Sequence, residues 1–406
     1  MGSGLREGWE IRKLGEAATV SAGNSAPQKK ELFNNGIFPF IRTSDVGKIR
    51  KGIIDTSSDY LNKDGIKKLR LFKKGTILFP KSGASTFLNH RVIMNIDAYV
   101  SSHLATIKSN NISKDEFIWY YLITIDAKDL MQDIAYPSLK LSDIKQIPIP
   151  IPPLQEQEKI VTILDEAFLA IAKAKENAEL NLQNAKELFD SFLQGVFENK
   201  GDGWEEKTLS ELCIIKHGFA FKSQYFSDNS DYLLLTPGNF YEAGGYRNRG
   251  HKQKYYNGEF PTEYILEKGN LLIVMTEQAA GLLGSPLIVP SSNKFLHNQR
   301  LGLVISKSPN ECSNEFLFHI FNTNSVRKNL YETGTGIKVR HTSPTKIGNV
   351  VISYPTSLEV QKKIVKTLKH LQKETKKLES IYTKKLQDLE ELKKSILQKA
   401  FNGELT

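Results

Sequence analysis

The chain has 406 residues, and 55 Lys and Arg against 45 Asp and Glu give it a net charge of +10. At 40% hydrophobic and 25% charged it has the make-up of a globular protein of two or three domains, which excludes a disordered or fibrous chain. No run of 18 apolar residues is present to span a membrane, Met1 to Trp9 lack the apolar stretch of a secretory signal, and Cys213 and Cys312 stand far from any Cys or His at zinc spacing. A cytoplasmic protein without a disulfide framework or structural metal is expected.

In chain order, Gly8-Trp9-Glu10 opens the sequence and is followed by Leu14, Val20 and Gly23. Thr76 to Phe79 reads as a strand after Gly75, and Glu116 to Ile125 as a helix with aromatics on one face. Pro148, Pro150, Pro152 and Pro153 then hold the chain extended, and a proline-free helical stretch runs to position 200. From there the series begins again. Gly203-Trp204-Glu205 is followed by Leu209, Ile215 and Gly218, then by a strand at Leu271 to Val274 and a helix at Glu315 to Asn322. Ile347, Val350, Ile352 and Pro355 answer to Ile144, Ile147, Ile149 and Pro152, and Leu358, Gln361, Ile364 and Val365 answer to Leu154, Gln157, Ile160 and Val161. The chain is a tandem duplication of about 200 residues, a period far too long for a solenoid. The expected fold class is α+β: two similar globular domains, 1–153 and 201–357, each followed by a spacer helix, 154–200 and 358–406.

The two helices carry heptad seams. Ile160, Leu164, Ala167, Ile171, Ala174, Ala178, Asn181, Ala185, Leu188 and Phe192 line the first, and Ile364, Leu368, Leu371, Thr375, Leu378, Tyr382, Lys385, Leu389, Leu392 and Ile396 line the second. Small residues on one face larger ones on the other. The expectation is an antiparallel, intramolecular coiled coil with pseudo-two-fold symmetry and the globular domains far apart.

Charge is unevenly placed. Residues 1–153 hold 22 basic against 15 acidic residues, a net +7, residues 154–200 are −4, residues 201–357 are +2, and residues 358–406 are +5. In the second domain Arg247, Arg249, His251, Lys252 and Lys254 interleave with Tyr246, Tyr255 and Tyr256, a mixture suited to phosphate clamping and base-edge contact. Catalytic motifs are missing: there is no Walker loop, no His-Glu-x-x-His, no Gly-x-Ser-x-Gly and no Asn-Pro-Pro-aromatic motif.

Ser142-Asp143-Ile144 running through Ile147-Pro148-Ile149-Pro150-Ile151-Pro152-Pro153-Leu154-Gln155-Glu156-Gln157, the terminal Leu397-Gln398-Lys399-Ala400-Phe401-Asn402-Gly403-Glu404-Leu405, the Trp9 and Trp204 starts and Asn298-Gln299-Arg300 make the chain resemble the specificity subunits of type I restriction-modification systems. The second copy departs from the proline-rich form at Ser353-Tyr354-Pro355-Thr356-Ser357. The resemblance implies a non-catalytic DNA-reading subunit. Each globular part would be a target recognition domain reading one half of a bipartite, asymmetric site. The helices would set the spacing and dock two methyltransferase subunits, joined by restriction subunits. S-adenosylmethionine, ATP and Mg would then belong to those partners, with no cofactor and no metal on this chain.

On that model the reading residues lie in loops after the core strands. In the first domain these are Lys81, Ser82, Ser85, Asn89, His90, Arg91, Ser102, His103, Tyr136, Ser138 and Lys140. In the second they are Arg247, Arg249, Lys252, Thr276, Glu277, Gln278, Asn298, Gln299, Arg300, Thr335, Lys338, Arg340 and His341. Arginine would address guanine, and Asn or Gln adenine. The competing reading is a coiled-coil scaffold that bridges two protein partners without DNA.

Overall fold

The computed structural model describes residues 6–130, 138–278, 280–308 and 310–406, and the chain divides into two compact units. One comprises residues 1–179 with 383–406, the other residues 180–382. Each unit therefore holds one globular domain, the start of the helix that leaves it and the end of the other helix. No helix among the described residues is long and apolar enough to cross a membrane.

In the first unit a five-stranded sheet runs Ala18–Ala22, Leu104–Ser109, Ile77–Pro80, Arg91–Met94 and Lys51–Ile54 in spatial order. All neighbours are antiparallel except the last pair. Ile77 to Pro80 is buried on both faces, as its continuous apolar run requires. A three-stranded sheet of Asp59–Leu61, Phe38–Ile41 and Tyr99–Val100 adjoins it. The proline-rich Pro148–Ile151 pairs antiparallel with Glu10–Lys13, so the beginning and end of the domain close on each other. Prolines are tolerated there because a two-stranded ribbon leaves one edge unpaired.

The helix Asp115–Thr124 buries Phe117, Ile118, Trp119, Tyr120, Leu122 and Ile123, apolar almost all round because it is covered on more than one side. The Phe117 and Tyr121 rings meet Phe401 edge-on at 5.4 and 5.1 Å. Tyr120 donates to Asp165 and packs on Phe168. Ile160, Leu164, Leu397 and Ala400 belong to the same core. Within this unit the two long helices, Leu154–Glu198 and Leu358–Phe401, run antiparallel: Lys175 pairs with Glu390 at 2.7 Å, and Lys393 lies over the Phe168 ring.

The second unit repeats the plan. Cys213–His217, Leu301–Ser306, Leu271–Val274 and Pro286–Ile288 form a four-stranded sheet that answers to the five-stranded one of the first unit, and Trp204–Thr208 pairs antiparallel with Val351–Pro355. A helix at Asn314–Phe321 packs on it, with Phe197, Trp204, Ile364 and Val365 around the same core. A five-stranded set of two-residue strands replaces the three-stranded sheet of the first unit.

One clasp occurs in both units. Gln157 is fully buried; its Oε1 accepts from Lys114 N (2.9 Å) and its Nε2 donates to Pro152 O (2.8 Å) and Ile112 O (3.0 Å). Gln361, equally buried, accepts from Ser313 N (3.1 Å) and donates to Pro355 O (2.9 Å) and Glu311 O (2.6 Å). Each long helix is thereby tied to the helix start of its own domain.

The seam differs from strict heptads. A stripe of buried and half-buried places on the first helix, Ile160, Leu164, Phe168, Ile171, Ala174, Ala178, Leu182, Ala185, Phe189, Leu193 and Val196, covers 36 residues in ten steps, or 3.6 per step, with Ala167 of the heptad register half-buried beside Phe168. Leu188 is 47% exposed, Asn181 is exposed, and Leu182 takes its place. On the second helix Ile364 and Leu371 are half-buried, Leu378 and Leu392 are exposed at 37% and 47%, and Leu386 replaces Lys385 on the inward side. The reason is geometric: a straight α-helix drifts about 20° per heptad, so a stripe that begins in heptad register leaves it after a few turns. The two polar intrusions in the expected seams are consequences of counting in sevens.

Candidate nucleic-acid interface

In each unit three segments meet beyond the ends of the core strands. In the first, Lys81 N donates to His103 O (3.0 Å), Leu139 N donates to Lys81 O (2.7 Å), and Ser82 bridges to Ser138. In the second, Met275 N donates to Arg300 O (2.9 Å), Thr342 N to Met275 O (2.9 Å), and Thr276 pairs with His341. These contacts make Ser82 the structural counterpart of Thr276, His103 of Arg300, and Ser138 of His341.

A glycine fixes the middle segment in both. A Cβ on Gly23 would meet Ser101 O at 2.2 Å, and one on Gly218 would meet Asn298 O at 2.2 Å. Only glycine admits that approach. Ser102 N then donates to Asn24 O and Gln299 N to Phe219 O, leaving the following side chains directed outward.

The first site brings together Lys81, Ser82, Ser102, His103, Ser138 and Lys140; His103, Ser138 and Lys140 are exposed, the others half-buried. Ser85 is half-buried and donates to Ser82 O. Tyr136 lies outside the described residues. Asn89, His90 and Arg91 are built into the domain instead. Asn89 accepts from Ala127 N (2.7 Å) and donates to Asp126 (2.9 Å). His90 is buried, and desolvation with Arg50, Arg91 and Lys51 nearby holds its pKa below the ordinary value. Arg91 is fully buried, its guanidinium 3.3 Å from the Phe79 ring centroid, and burial pulls its pKa down to about 9. A DNA contact at Arg91 is corrected by this burial. The residue opens a strand, and its side chain turns inward to the aromatic face.

In the second site Gln278, Gln299, Arg300, Thr335, Lys338 and His341 are exposed, and Thr276 is half-buried. Asn298 is buried and uses its Oδ1 to accept from Arg300 N (2.9 Å), so it shapes the turn that presents Gln299 and Arg300. Glu277 is buried, accepting from Leu282 N and Leu283 N, and is not a surface group. Arg340 lies over the Tyr331 ring at 3.9 Å and donates to Tyr331 O and Gly334 O, which fixes the turn beneath Thr335. Arg247 and Lys252 are exposed and Arg249 half-buried on a loop held by Asn239 and Gln253, whose side chains bond each other at 3.2 Å.

One feature the sequence reading did not resolve is a hydroxyl–imidazole pair in each site, Ser82 with His103 and Thr276 with His341. Half of its signal is in the repeat, since Ser82 and Thr276 stand 194 residues apart, but the histidines come from different segments and no alignment pairs them. Among the described residues no group of three or more His, Cys, Asp or Glu is placed to hold a metal ion.

The model of the type I restriction modification DNA specificity domain matches residues 6–182 and again 201–390. The chain belongs to that family. As a member of the type I specificity family it is 30% identical over 194 residues to the MjaIX specificity subunit of Methanocaldococcus jannaschii, spanning 47% of this chain and 43% of that protein. It is 22% identical to the MjaVIII specificity subunit of the same organism over 99% of this chain and 94% of the other. A chain solved in work on complex assembly and conformational transition of the type I R-M system superposes over its full length with a TM-score of 0.76 at 19% identity, a likeness of fold. The two family matches fall on the two halves of the duplication.

Proposed function

We propose that this chain is the sequence-specific DNA-recognition subunit of a type I restriction-modification complex, each globular domain reading one half of a bipartite, asymmetric site. The observation that carries the reading is the convergence, at corresponding places in both units, of exposed Lys, His, Arg, Gln and Ser side chains on segments braced by backbone hydrogen bonds. Arginine suits a guanine edge and glutamine an adenine edge, which makes the exposed Arg300 and Gln299 the base readers of this reading, while Lys81, Lys140 and Lys338 suit phosphates. The helices set the gap between half-sites and dock two methyltransferase subunits. Methyl transfer and cleavage fall to partner subunits, which carry S-adenosylmethionine, ATP and Mg, in the cytoplasm where the DNA is.

The test is methylome sequencing of a host that carries this chain with its methyltransferase partner, followed by binding to the identified duplex across a salt series. One bipartite methylated motif and an affinity that falls steeply with salt are expected. Assembly with protein partners but no salt-sensitive DNA binding would favour the scaffold reading, and methyl transfer by the isolated chain would refute the assignment of catalysis to partners.

A further inference from the structure

Ser82 Oγ lies 2.8 Å from His103 Nδ1, and Thr276 Oγ1 lies 3.0 Å from His341 Nδ1. The hydroxyls stand at corresponding backbone places, since Lys81 N and Met275 N, one residue earlier, each donate to the carbonyl that ends the middle segment. The imidazoles do not correspond. His103 occupies the place of Arg300, and His341 occupies the place of Ser138. The same chemistry reaches the same spot from two different segments.

Both histidines are exposed, and in both it is Nδ1 that faces the hydroxyl. A hydroxyl that points its proton at Nδ1 fixes the tautomer protonated on Nε2, the ordinary one for neutral imidazole, and leaves an N–H donor directed away from the pair. Around the pairs the side chains differ: Lys81 stands against Met275, Ser102 against Gln299, and Lys140 against Ser343. Two domains that read different base sequences have in common the sugar-phosphate backbone and not the base edges. A donor present in both therefore fits the shared part of the ligand, and the residues that differ fit the part that varies.

We propose that each hydroxyl–imidazole pair anchors the DNA backbone, with Nε2–H of His103 and of His341 each donating to one phosphate oxygen of its half-site, while bases are read by neighbours that differ between the domains, Ser102 in the first and Gln299 and Arg300 in the second. The inference rests on the DNA-recognition reading above.

The experiment uses the chain assembled with its methyltransferase subunits and the duplex found by methylome sequencing, with single phosphates replaced by uncharged methylphosphonate. A parallel set replaces single purines by 7-deazapurines, which lack the N7 acceptor. Beside the positions that face lysines, one methylphosphonate position in each half-site should weaken binding roughly tenfold through its histidine, the scale of one hydrogen bond to a charged group. His103→Ala should weaken the unmodified duplex by about the same factor and abolish sensitivity at the first position alone, His341→Ala at the second alone. Ser82→Ala and Thr276→Ala should lose less. His103→Gln, whose amide N–H reaches the place of Nε2, should recover part of the affinity, and the methylated motif should stay unchanged. A histidine variant that instead relaxes one base of the motif, or loses sensitivity at a 7-deazapurine, makes the residue a base reader and overturns the anchor; so does a variant that keeps the full methylphosphonate pattern. Wild-type complex with no preference for its motif over random duplex overturns the recognition reading itself.

Discussion

Arg91 buries its guanidinium over the Phe79 ring, and its carbonyl accepts from Trp119 Nε1 at 3.0 Å. A buried cation with incomplete hydrogen bonding is a net cost that a well-packed apolar residue of similar length removes. Arg91→Met is expected to leave DNA affinity unchanged and to raise or preserve the midpoint of chemical denaturation; a loss of DNA binding with intact stability would return Arg91 to the interface. The glutamine clasps have the opposite character, because each fully buried amide bonds three backbone groups at once. Gln157→Leu or Gln361→Leu should cost about 2–4 kcal/mol by stranding those groups, measured by urea denaturation. Two further buried residues give the second unit a pH dependence. His297 and His319 are held neutral by burial, their pKa values pushed down to about 4. Unfolding raises them to the ordinary 6.5, so the unfolded chain binds more protons between those values. Their contribution is complete above pH 6.5 and is lost as pH falls toward 4, by about 3 kcal/mol each at the limit. Denaturation midpoints should fall between pH 6.5 and 4, and the double variant with His297→Gln and His319→Gln should flatten that slope.

Among the elements, the long helices were the most legible in sequence and also the place where a detail went astray. Pro148 to Pro153 and the proline-free run after them announce the first helix, which spans Leu154–Glu198. Counting in sevens then assigns Leu188 and Leu392 to a buried seam, whereas the inward stripe follows the helix period and leaves both about half exposed. Substitution separates the two registers: Leu193→Asp, off the heptad seam but buried, should lower helical melting by about 3 kcal/mol or more, while Leu188→Glu and Leu392→Glu should stay within about 0.5 kcal/mol. Equal effects at both sets would restore the heptad seam. The short strands were harder to read. Thr76 to Phe79 and Leu271 to Val274 are visible because both faces are buried, and so is the apolar run at Leu233 to Leu235, but two-residue strands such as Phe226–Ser227 and Phe295–Leu296 carry no period, and their pairing is set by long-range contact.

For the whole molecule, the duplication is the organising fact, and it bears on function through the helices that link the readers. Seven residues added to both helices at the boundary between the units lengthen each by about 10 Å and turn it by only about 20°. The gap of the recognised motif should then grow by about three base pairs, at roughly 3.4 Å each, with both half-sites unchanged. Methylome sequencing reads this directly, and an unaltered gap would show that the helices do not set the spacing. What the sequence determined by itself is whatever is written locally or twice: the repeat, the class of each element, the proline stops, the partition of charge and the family likeness. Tertiary structure decided which polar residues face solvent, how the inward stripes drift along the helices and how His103 and His341 come to face equivalent hydroxyls from different segments. The physical reason is that burial and hydrogen-bond partnership depend on residues far apart in the chain, and a repeat aligned along the sequence cannot pair groups that reach one place from different strands.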